Sequence, residues 1–483
     1  MAIGLSNMAP SVAPTSATLL PTERKTRLAY HFVGIGGCGM SGLAQMLHRR
    51  GYRITGSDAR ASVVTDNLAR LGIAVRIGPG SGLLPGGLDA VVASAAVPQD
   101  DPDLTLARQQ GLRVLKYAQM LGEISTGYET LAVAGTHGKS TTSGWLAYGL
   151  HHAGREPNFV VGAEVIQLGA GSGAGRGEHL VVEACEYDRS FLNLQPRAAA
   201  ILNVEPDHLD YYRDLPEIVD AFGAFAARVD HQGLVVVPAA DPNAVQAAAC
   251  ATARTESFSL TGPADWQPGR LSFENGHGCF DVLCRGQSLG RVKLSLPGRH
   301  NVANALAVAA LARHVGLDDP ALCAALESFA GVGRRLMFKA VLRGITLLDD
   351  YAHHPTEIQV TLEAVRQKYR PRCLWCVFQP HQHSRTRALL QEFAGSFRHA
   401  DVVLLSDIYF VRDTEASRRE ITAAMLAERI AAQGGRASYL GDFARIADLL
   451  AAQAQDGDVI ITMGAGDVGK LADELVARLG RDR

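Results

Sequence analysis

Residues 131–154, LAVAGTHGKSTTSGWLAYGLHHAG, constrain the fold of this chain more than any other stretch. The opening LAVA is an apolar run typical of a buried strand, and the residues from Thr141 onward favour a helix that ends at Gly154. The glycine-rich segment between them predicts a tight loop. Backbone N–H groups of such a loop and the helix N-terminus attract an anion. We therefore expect phosphate binding here, with Lys139 reaching terminal phosphates and the Ser140 hydroxyl on Mg²⁺.

The spacing of this loop is GxxGKS, because Val133 stands where the usual phosphate loop has its first glycine. An ordinary strand-to-helix turn is the alternative interpretation. The phosphate hypothesis is favoured because glycine, lysine and serine all stand where the chemistry needs them.

Length and composition limit what surrounds the loop. A chain of 483 residues is too long for one core, so we expect two to four domains. The net charge of −2 gives no case for nucleic-acid binding, and no apolar stretch is long enough for membrane insertion. Eight scattered cysteines do not form a disulfide scaffold, which favours a cytoplasmic protein. Residues 1–27 lack the features of a signal peptide and predict a flexible tail.

Cys373 and Cys376 form a CxxC pair that resembles half of a redox or metal site. They lie in a segment that predicts a buried strand, where residues three apart face opposite sides. No second pair completes a zinc site, so we interpret both as core cysteines.

Residues 28–125 predict a Rossmann-like domain. A strand at 29–33 runs into GIGGCGMSG, in which Gly34, Gly36 and Gly39 match GxGxxG, and a second strand ends at Asp58. That acid is placed to accept a ribose hydroxyl. Alone, this fingerprint favours NAD(P) or a purely structural domain. A second anion loop elsewhere in the chain favours an ATP enzyme whose other substrate is a nucleotide diphosphate.

Polar side chains follow two predicted strands of the central segment, residues 126–331. One strand ends at Glu183, and another leads into Asp207 and His208. Because ligands gather at the carboxyl ends of parallel strands, we expect these groups beside the phosphate loop, where they can hold Mg²⁺. The glycine-rich stretch 169–177 predicts a flexible surface loop.

The last segment, residues 332–483, again alternates strands and helices, which predicts another open α/β sheet. It follows a linker whose two arginines, Arg334 and Arg335, can swing toward a γ-phosphate. His353 and Arg385 lie on loops after predicted strands, and a guanidinium can grip the carboxylate of a small amino acid.

Eight motifs occur in the order found in Mur ligases: GIGGCGMSG, GTHGKSTT, the acidic segment 183–191, NVEPDHLDYY, GRHNVANA, GVGRR, DDYAHHPTEI and FQPHQHSRTR. From about residue 28 to its end, the chain resembles this family of ATP-dependent amide ligases of peptidoglycan synthesis, and it looks most like the alanine-adding branch. The resemblance implies three α/β domains: a Rossmann-like domain for UDP-N-acetylmuramate, a central P-loop ATPase-like domain with a parallel sheet for ATP, and a Rossmann-like C-terminal domain for L-alanine. It also implies an acyl-phosphate intermediate.

The resemblance further implies roles for individual residues. Two Mg²⁺ ions would lie around Ser140, Glu183 and His208, and His353 is a candidate base for the amine. The catalytic set is Lys139, Glu183, His208 and His353. The implied ATP contacts are Gly135, Thr136, His137, Gly138, Lys139, Ser140, Thr141, Asn301, Asn304, Arg334, Arg335 and Asp350. The implied UDP-sugar contacts are Gly36, Gly37, Gly39, Met40, Ser41, Asp58 and Ser94, and the amino-acid contacts are Tyr351, His353 and Arg385.

The chain departs from the family pattern at two positions of the acidic segment. Cys185 stands where an acid is usual, and Tyr187 replaces a serine. The missing acid at position 185 casts doubt on a second shell of carboxylates around the metal. In addition, residues 141–292 contain no lysine, so the carboxylated lysine of other branches is excluded.

Three other functions fit parts of the sequence. A recycling ligase would attach a whole tripeptide to the same UDP-sugar, but GIGGCGMSG favours the alanine branch. A catalytically inactive nucleotide-binding regulator is suggested only by Cys185 and Tyr187. An NAD dehydrogenase leaves the second phosphate loop and the two asparagines unexplained. We expect a monomer or homodimer whose third domain closes over ATP.

Overall fold

The computed structural model describes residues 28–480, so the predicted flexible tail at 1–27 lies outside the described residues. Within residues 28–480, strands form three sheets of five, ten and six strands that follow one another along the chain. Helices pack against each sheet. The α/β class and the three-domain architecture are therefore confirmed. The division of labour between the domains stays a prediction.

The first sheet is parallel, in the order β3-β2-β1-β4-β5, which matches five of the six strands of the dinucleotide-binding fold. Its strands are β1 (Ala29–Val33), β2 (Arg53–Asp58), β3 (Ala74–Ile77), β4 (Ala90–Ala93) and β5 (Arg113–Lys116). Its helices are α1 (Cys38–Arg49), α2 (Val63–Arg70), α3 (Pro102–Gln109) and α4 (Tyr117–Ser125). The predicted Rossmann-like character of this segment is thus present in both topology and loop position.

The second sheet has a parallel centre and antiparallel edges, in the order β15-β14-β13-β12-β11-β10-β6-β9-β7-β8. Its strands are β6 (Glu129–Ala134), β7 (Asn158–Val165), β8 (Ala170–Gly173), β9 (His179–Glu183), β10 (Ala198–Ile201), β11 (Leu234–Pro238), β12 (Arg254–Phe258), β13 (Trp266–Glu274), β14 (His277–Cys284) and β15 (Gln287–Pro297). Its helices are α5 (Lys139–His152), α6 (Leu215–Ala226), α7 (Pro242–Ala248), α8 (Arg299–His314) and α9 (Asp319–Ser328). The predicted parallel sheet is thus extended by hairpins at both ends.

The glycine-rich stretch at 169–177, predicted as a flexible surface loop, instead contains β8, which pairs antiparallel with β7. Its glycines permit close approach: a Cβ at Gly173 would lie 2.3 Å from the Phe159 ring, and one at Gly175 would lie 1.9 Å from the Glu156 carbonyl oxygen. The β7–β8 hairpin also contacts the first domain, because α1 packs on it. A Cβ at Gly42 of α1 would lie 2.3 Å from Ser172 Oγ of β8. Glycine here serves packing, so the loop prediction was wrong for β8.

The third sheet runs in the order β16-β17-β21-β18-β19-β20, parallel except for the β16–β17 hairpin. Its strands are β16 (Met337–Leu342), β17 (Ile345–Asp350), β18 (Leu374–Phe378), β19 (Val402–Ser406), β20 (Ala437–Gly441) and β21 (Val459–Met463). Its helices are α10 (Pro355–Tyr369), α11 (His383–Ala388), α12 (Leu390–Ser396), α13 (Glu415–Glu420), α14 (Ala423–Ala432), α15 (Phe443–Gln453) and α16 (Gly469–Gly480). Cys376 is a free, fully buried thiol in β18, and Cys373 is a half-buried free thiol just before that strand.

The core beneath the phosphate loop is built around α5, which is buried from Ser140 to Leu150. Trp145 stacks on Phe329 at 5.0 Å, and its indole N–H donates to the Ala325 carbonyl oxygen at 3.1 Å. A helix that is enclosed on all sides cannot shift easily, so the loop at its N-terminus is held rigidly. In the part of the chain that the structure describes, no helix has the length and apolar character needed to cross a bilayer.

Candidate functional site

The phosphate loop connects β6 to α5, and two of its glycines have backbone conformations that other residues rarely adopt. Gly135 has φ +139° and Gly138 has φ +83°. A Cβ at Gly135 would lie 3.0 Å from Leu202, and one at Gly138 would lie 3.0 Å from Asn304 Oδ1. Helix α5 begins at Lys139, two residues before the predicted start, directly after the left-handed Gly138. The loop therefore presents the N-terminus of a buried helix to an open cavity, as anion binding requires.

The Lys139 ammonium group lies over this loop. It donates to the carbonyl oxygens of Gly135 at 2.6 Å and Thr136 at 3.2 Å and to Glu186 Oε1 at 3.0 Å. Burial opposes the charge, but the Glu186 carboxylate outweighs it and raises the pKa of Lys139. A permanently charged ammonium is therefore held at the loop, poised to exchange these acceptors for phosphate oxygens.

Oxygen ligands meet beside Lys139 at the carboxyl ends of β6 and β9. The Ser140 hydroxyl donates to Glu183 Oε1 at 3.1 Å, and the backbone N–H of Gly162 donates to Glu183 Oε2 at 2.6 Å. His208 lies next to them in a left-handed conformation with φ +52°, and its Nε2 is 3.5 Å from Glu186 Oε1. Its Nδ1 is buried and has no hydrogen-bond partner among the described residues. The Ser140 hydroxyl, the Glu183 carboxylate and the His208 imidazole line one cleft, and such donors fit a divalent cation such as Mg²⁺.

A cavity of about 570 Å³ opens between α8, α10 and β16 on one side of the phosphate loop. Asn301 and Asn304 line it from one face of α8 and are less than 10% exposed. The Asn301 amide donates to the Pro297 carbonyl oxygen at 2.8 Å, and the Asn304 amide donates to Asn301 Oδ1 at 3.2 Å. His137, Gly138 and Thr141 also line it. Three of the predicted ATP contacts of the loop thus share one cavity with the two asparagines of α8.

Asp350 borders the same cavity at the end of β17. Its carboxylate accepts from the backbone N–H groups of Leu336 at 2.5 Å and Ala352 at 2.7 Å. Burial raises the pKa of Asp350 to about 6 despite these bonds. The backbone bonds hold the carboxylate in place at the cavity wall.

The adjacent arginines both lie near the Tyr351 ring but have different polar partners. Arg334 donates to Asp349 Oδ2 at 3.0 Å and to the Gly464 carbonyl oxygen at 2.8 Å, within the third unit. Arg335 lies 3.4 Å from Glu357 Oε1, and its guanidinium is 5.2 Å from the centre of the Tyr351 ring. Arg335 lines the first cavity and a second one beside it. Arg335 is therefore the better placed of the two to reach a phosphate between the cavities.

The second cavity, of about 560 Å³, lies on the other side of the phosphate loop. It brings central-unit groups face to face with third-unit groups, and its lining includes Lys139, Ser140, Glu183, His208, Tyr351, His353 and Arg385. We call it the reaction cleft. Every predicted catalytic and amino-acid-binding residue lines it.

His353 lies at the wall of the reaction cleft with 17% of its side chain exposed. Its Nδ1 is 3.0 Å from the Tyr351 carbonyl oxygen, which favours the tautomer with the proton on Nδ1 and leaves Nε2 as an acceptor. Its backbone N–H donates to Glu357 Oε2 at 3.0 Å. Burial lowers the pKa of His353 to about 3, so the imidazole is neutral at physiological pH.

Arg385 joins the third unit to the central unit through a buried ion pair. Its Nε and one terminal nitrogen donate to Asp207 Oδ1 at 3.0 and 2.6 Å, and both side chains are at most 8% exposed. Burial alone would raise the pKa of Asp207, but Arg385 holds it well below its usual range. The other terminal nitrogen lies 3.3 Å from His381 Nδ1. Arg385 lies in α11 and not on the loop that the sequence predicted, and His381, which sequence reasoning left aside, stands four residues earlier, just before that helix, and lines the reaction cleft.

The residues predicted to bind the UDP-sugar meet at the carboxyl edge of the first sheet. The Gly36 N–H donates to Asp58 Oδ2 at 2.8 Å, and a Cβ at Gly34 would lie 2.9 Å from Ser94 Cβ. A Cβ at Gly39 would touch the Tyr117 ring at 2.8 Å. Gly37 is exposed, whereas Met40 and Ser41 are buried at the start of α1. The Met40 side chain belongs to the core, so only its backbone can face a ligand.

Of the two departures from the expected acidic segment, Cys185 lines the reaction cleft and Tyr187 contacts residues that line it. Cys185 is exposed there, next to Glu186. Tyr187 packs 5.0 Å from the His208 ring, and the Arg412 guanidinium of the third unit lies 4.4 Å from the centre of the Tyr187 ring. Tyr187 thereby adds a contact between two units instead of a hydroxyl beside the metal.

Family models match most of the chain. They are the Mur ligase family catalytic domain at residues 29–129, the Mur ligase middle domain at 133–312 and the Mur ligase glutamate ligase domain at 334–466.

Two curated relatives are UDP-N-acetylmuramate–L-alanine ligases. The protein from Pelotomaculum thermopropionicum is 41% identical, with 93% of this chain and 97% of the relative covered, and that from Acetivibrio thermocellus is 40% identical, with 92% and 94% covered.

Among solved structures, the alanine ligase MurC from Thermotoga maritima is 26% identical with a TM-score of 0.78, covering 95% of this chain and all of that one. The murein peptide ligase mpl from Psychrobacter arcticus is also 26% identical, with a TM-score of 0.70 and 94% and 99% covered. The three family models follow one another along the chain in the order of the three sheets, and the chain belongs to the Mur ligase family.

Proposed function

We propose that this chain is an ATP-dependent ligase of peptidoglycan synthesis that joins L-alanine to UDP-N-acetylmuramate. One observation carries the proposal: the cavity lined by Asn301 and Asn304 adjoins, across the phosphate loop, a cleft where Lys139 faces His353 and Arg385. A nucleotide in the first cavity would thus direct its terminal phosphate into the second. Relatives about 40% identical over more than nine-tenths of the chain are named for this reaction.

The proposed chemistry is amide formation through an acyl phosphate. The carboxylate of the sugar attacks the γ-phosphorus of ATP, and ADP leaves. The amine of L-alanine then attacks the acyl carbon, and inorganic phosphate leaves from a tetrahedral intermediate. Lys139 and Arg335 offset charge that develops on phosphoryl oxygens. Mg²⁺ held by Ser140, Glu183 and His208 would supply further neutralisation of phosphate charge.

The third unit would hold the amino acid. Arg385 offers a guanidinium to its carboxylate, although in this structure that group is engaged by Asp207 and His381. His353 Nε2 offers an acceptor to the attacking amine. With a pKa of about 3, His353 becomes an effective proton acceptor only after C–N bond formation has made the nitrogen acidic. Its role as the base therefore remains part of the proposal.

The test is phosphate release from ATP and Mg²⁺ with UDP-N-acetylmuramate, across L-alanine, glycine, L-serine and the tripeptide. We expect release that requires both the sugar and L-alanine. A Lys139→Ala variant should lose at least about 100-fold of the rate, because a phosphate-neutralising charge is gone. Lys470→Ala, at an exposed lysine on α16, is the matched control and should keep wild-type turnover.

Other outcomes assign other functions. Release only with tripeptide would identify a recycling ligase, which the likeness to mpl supports. Binding of ATP without release under any condition would indicate the inactive regulator. The proposal does not require strict selection of L-alanine, because a pocket that fits one methyl group discriminates between amino acids by only about 1–3 kcal/mol. The cytoplasmic location and the oligomeric state stay predictions.

A further inference from the structure

Three side chains at the junction of the central and third units form a cluster apart from the metal-binding residues considered above. His137 comes from the phosphate loop, Glu205 follows β10, and His354 stands immediately before α10. One ligand atom of each lies within 4.8 Å of the others. The side chain of His137 is 12% exposed, that of His354 is 6% exposed and that of Glu205 is 34% exposed. The cluster is thus enclosed but open on the Glu205 side.

The spacing of the cluster suits a tetrahedral metal ion. Zinc ligands at about 2.0–2.1 Å from the metal are about 3.3 Å apart in a tetrahedron. Here His137 Nε2 is 3.4 Å from Glu205 Oε2, and His354 Nδ1 is 3.9 Å from the same oxygen. The third separation, between the two imidazole nitrogens, is within 4.8 Å, so side-chain rotation would have to bring the two rings closer together around one ion.

The ring nitrogen of each histidine that would not bind the metal already has a hydrogen-bond acceptor. His137 Nδ1 lies 3.3 Å from Glu357 Oε1, and His354 Nε2 lies 3.2 Å from the Pro206 carbonyl oxygen. In metal sites, a histidine ligand usually donates its other N–H to a carboxylate or a backbone carbonyl oxygen. Both histidines have that partner here, so the nitrogens that face Glu205 are the ones available for ligation once a metal displaces the proton that His137 Nε2 shares with Glu205 Oε2. The 3.4 Å contact of the Thr356 N–H with His354 Nδ1 would be replaced.

We propose that His137, Glu205 and His354 bind Zn²⁺ or a similar transition-metal ion, with an open fourth position facing the nucleotide cavity. Two imidazoles and one carboxylate select zinc over Mg²⁺, which prefers oxygen ligands. His137 and Glu205 line that cavity, so water or a phosphate oxygen completes the coordination. Because His354 belongs to the third unit, the metal also links that unit to the phosphate loop.

The experiment is equilibrium dialysis of the full chain against Zn²⁺ in millimolar Mg²⁺, with thermal unfolding in parallel. We expect His354→Gln and Glu205→Gln to weaken binding at this site by about 100-fold or more, beyond the 10–100-fold cost of losing a supporting hydrogen bond. Wild-type protein should unfold at a higher temperature with Zn²⁺, and both variants should lose that shift. His231→Gln, at an exposed histidine, is the matched control and should bind as the wild type does.

His208→Ala separates this site from the reaction cleft. Retention of the zinc affinity and of the thermal shift in His208→Ala, together with their loss in the two cluster variants, supports the proposal. Loss in His208→Ala with retention in both cluster variants would place the zinc in the cleft and overturn it. The proposal would also be overturned if all three variants bound Zn²⁺ with wild-type affinity. Circular dichroism of each variant checks folding, and none of these readouts depends on ligase turnover.

Discussion

Replacing Asp207 by asparagine should weaken the junction between the central and third units more than any surface change. Asp207 and Arg385 are paired at 2.6 Å and are 8% and 5% exposed. Unit charges about 3 Å apart attract by about 5–6 kcal/mol at an effective dielectric constant of about 20. Desolvation offsets part of this, and loss of one partner of a buried pair costs about 3–5 kcal/mol because the other charge is left buried.

Hydrogen–deuterium exchange of segments 205–212 and 381–388 measures this cost. A loss of 3 kcal/mol makes local opening about 150-fold more frequent, so exchange in both segments should accelerate by at least that factor. Asp210→Asn, at an exposed carboxylate three residues away, is the control and should leave exchange unchanged. We expect a coupling energy of about 2–3 kcal/mol between Asp207→Asn and Arg385→Met in a double-mutant cycle. Additive effects, or equal exchange in Asp207→Asn and Asp210→Asn, would refute the reasoning.

Two further predictions concern packing and pH. Gly42→Ala should destabilise the chain by about 1–3 kcal/mol, because its Cβ would lie 2.3 Å from Ser172 Oγ. Adding Ser172→Gly to that variant should restore stability in thermal unfolding, and a Gly42→Ala variant as stable as the wild type would contradict the packing argument. Burial opposes protonation of His137, but hydrogen bonds with Glu205 and Glu357 prevail and raise its pKa to about 9. Since this pKa lies above the unfolded value of about 6.5, His137 contributes up to about 3 kcal/mol that is fully present below pH 6.5 and is lost as the pH rises through 9. Urea unfolding at pH 6 and pH 10 should show a smaller difference for His137→Gln than for the wild type, and equal differences would disprove it.

The parts of the fold that sequence reasoning predicted are those whose signal is local. The apolar run of β6, the glycines of the loop and the helix after it stand within 24 consecutive residues. The strand-end rule also brought Glu183 and His208 to the loop, because parallel strands place their carboxyl ends at one edge. What was mispredicted is the stretch 169–177, since glycines that permit close packing look the same in a sequence as glycines of a loose loop.

Contacts between units were not predictable in the same way. Glu205 and Thr356 are 151 residues apart, and Asp207 and Arg385 are 178 residues apart, so no spacing rule relates them. Arg334 and Arg335 are neighbours in sequence and both line the reaction cleft, yet Arg334 donates to the Gly464 carbonyl oxygen whereas Arg335 also lines the nucleotide cavity. Such choices depend on which acceptors surround each side chain after folding. The roles assigned to individual site residues stay predictions until the variants are measured.

The sequence by itself determined the α/β class, the three successive units, the phosphate loop and the family, because each of these is written in short apolar runs, glycine spacing or ordered motifs. Only the tertiary structure decided which side chains face one another across the junction: Arg385 with Asp207, and His354 with His137 and Glu205. The physical reason is that local patterns specify backbone conformation and buried faces, whereas the pairing of buried charges depends on the distance and desolvation that packing of separate units creates.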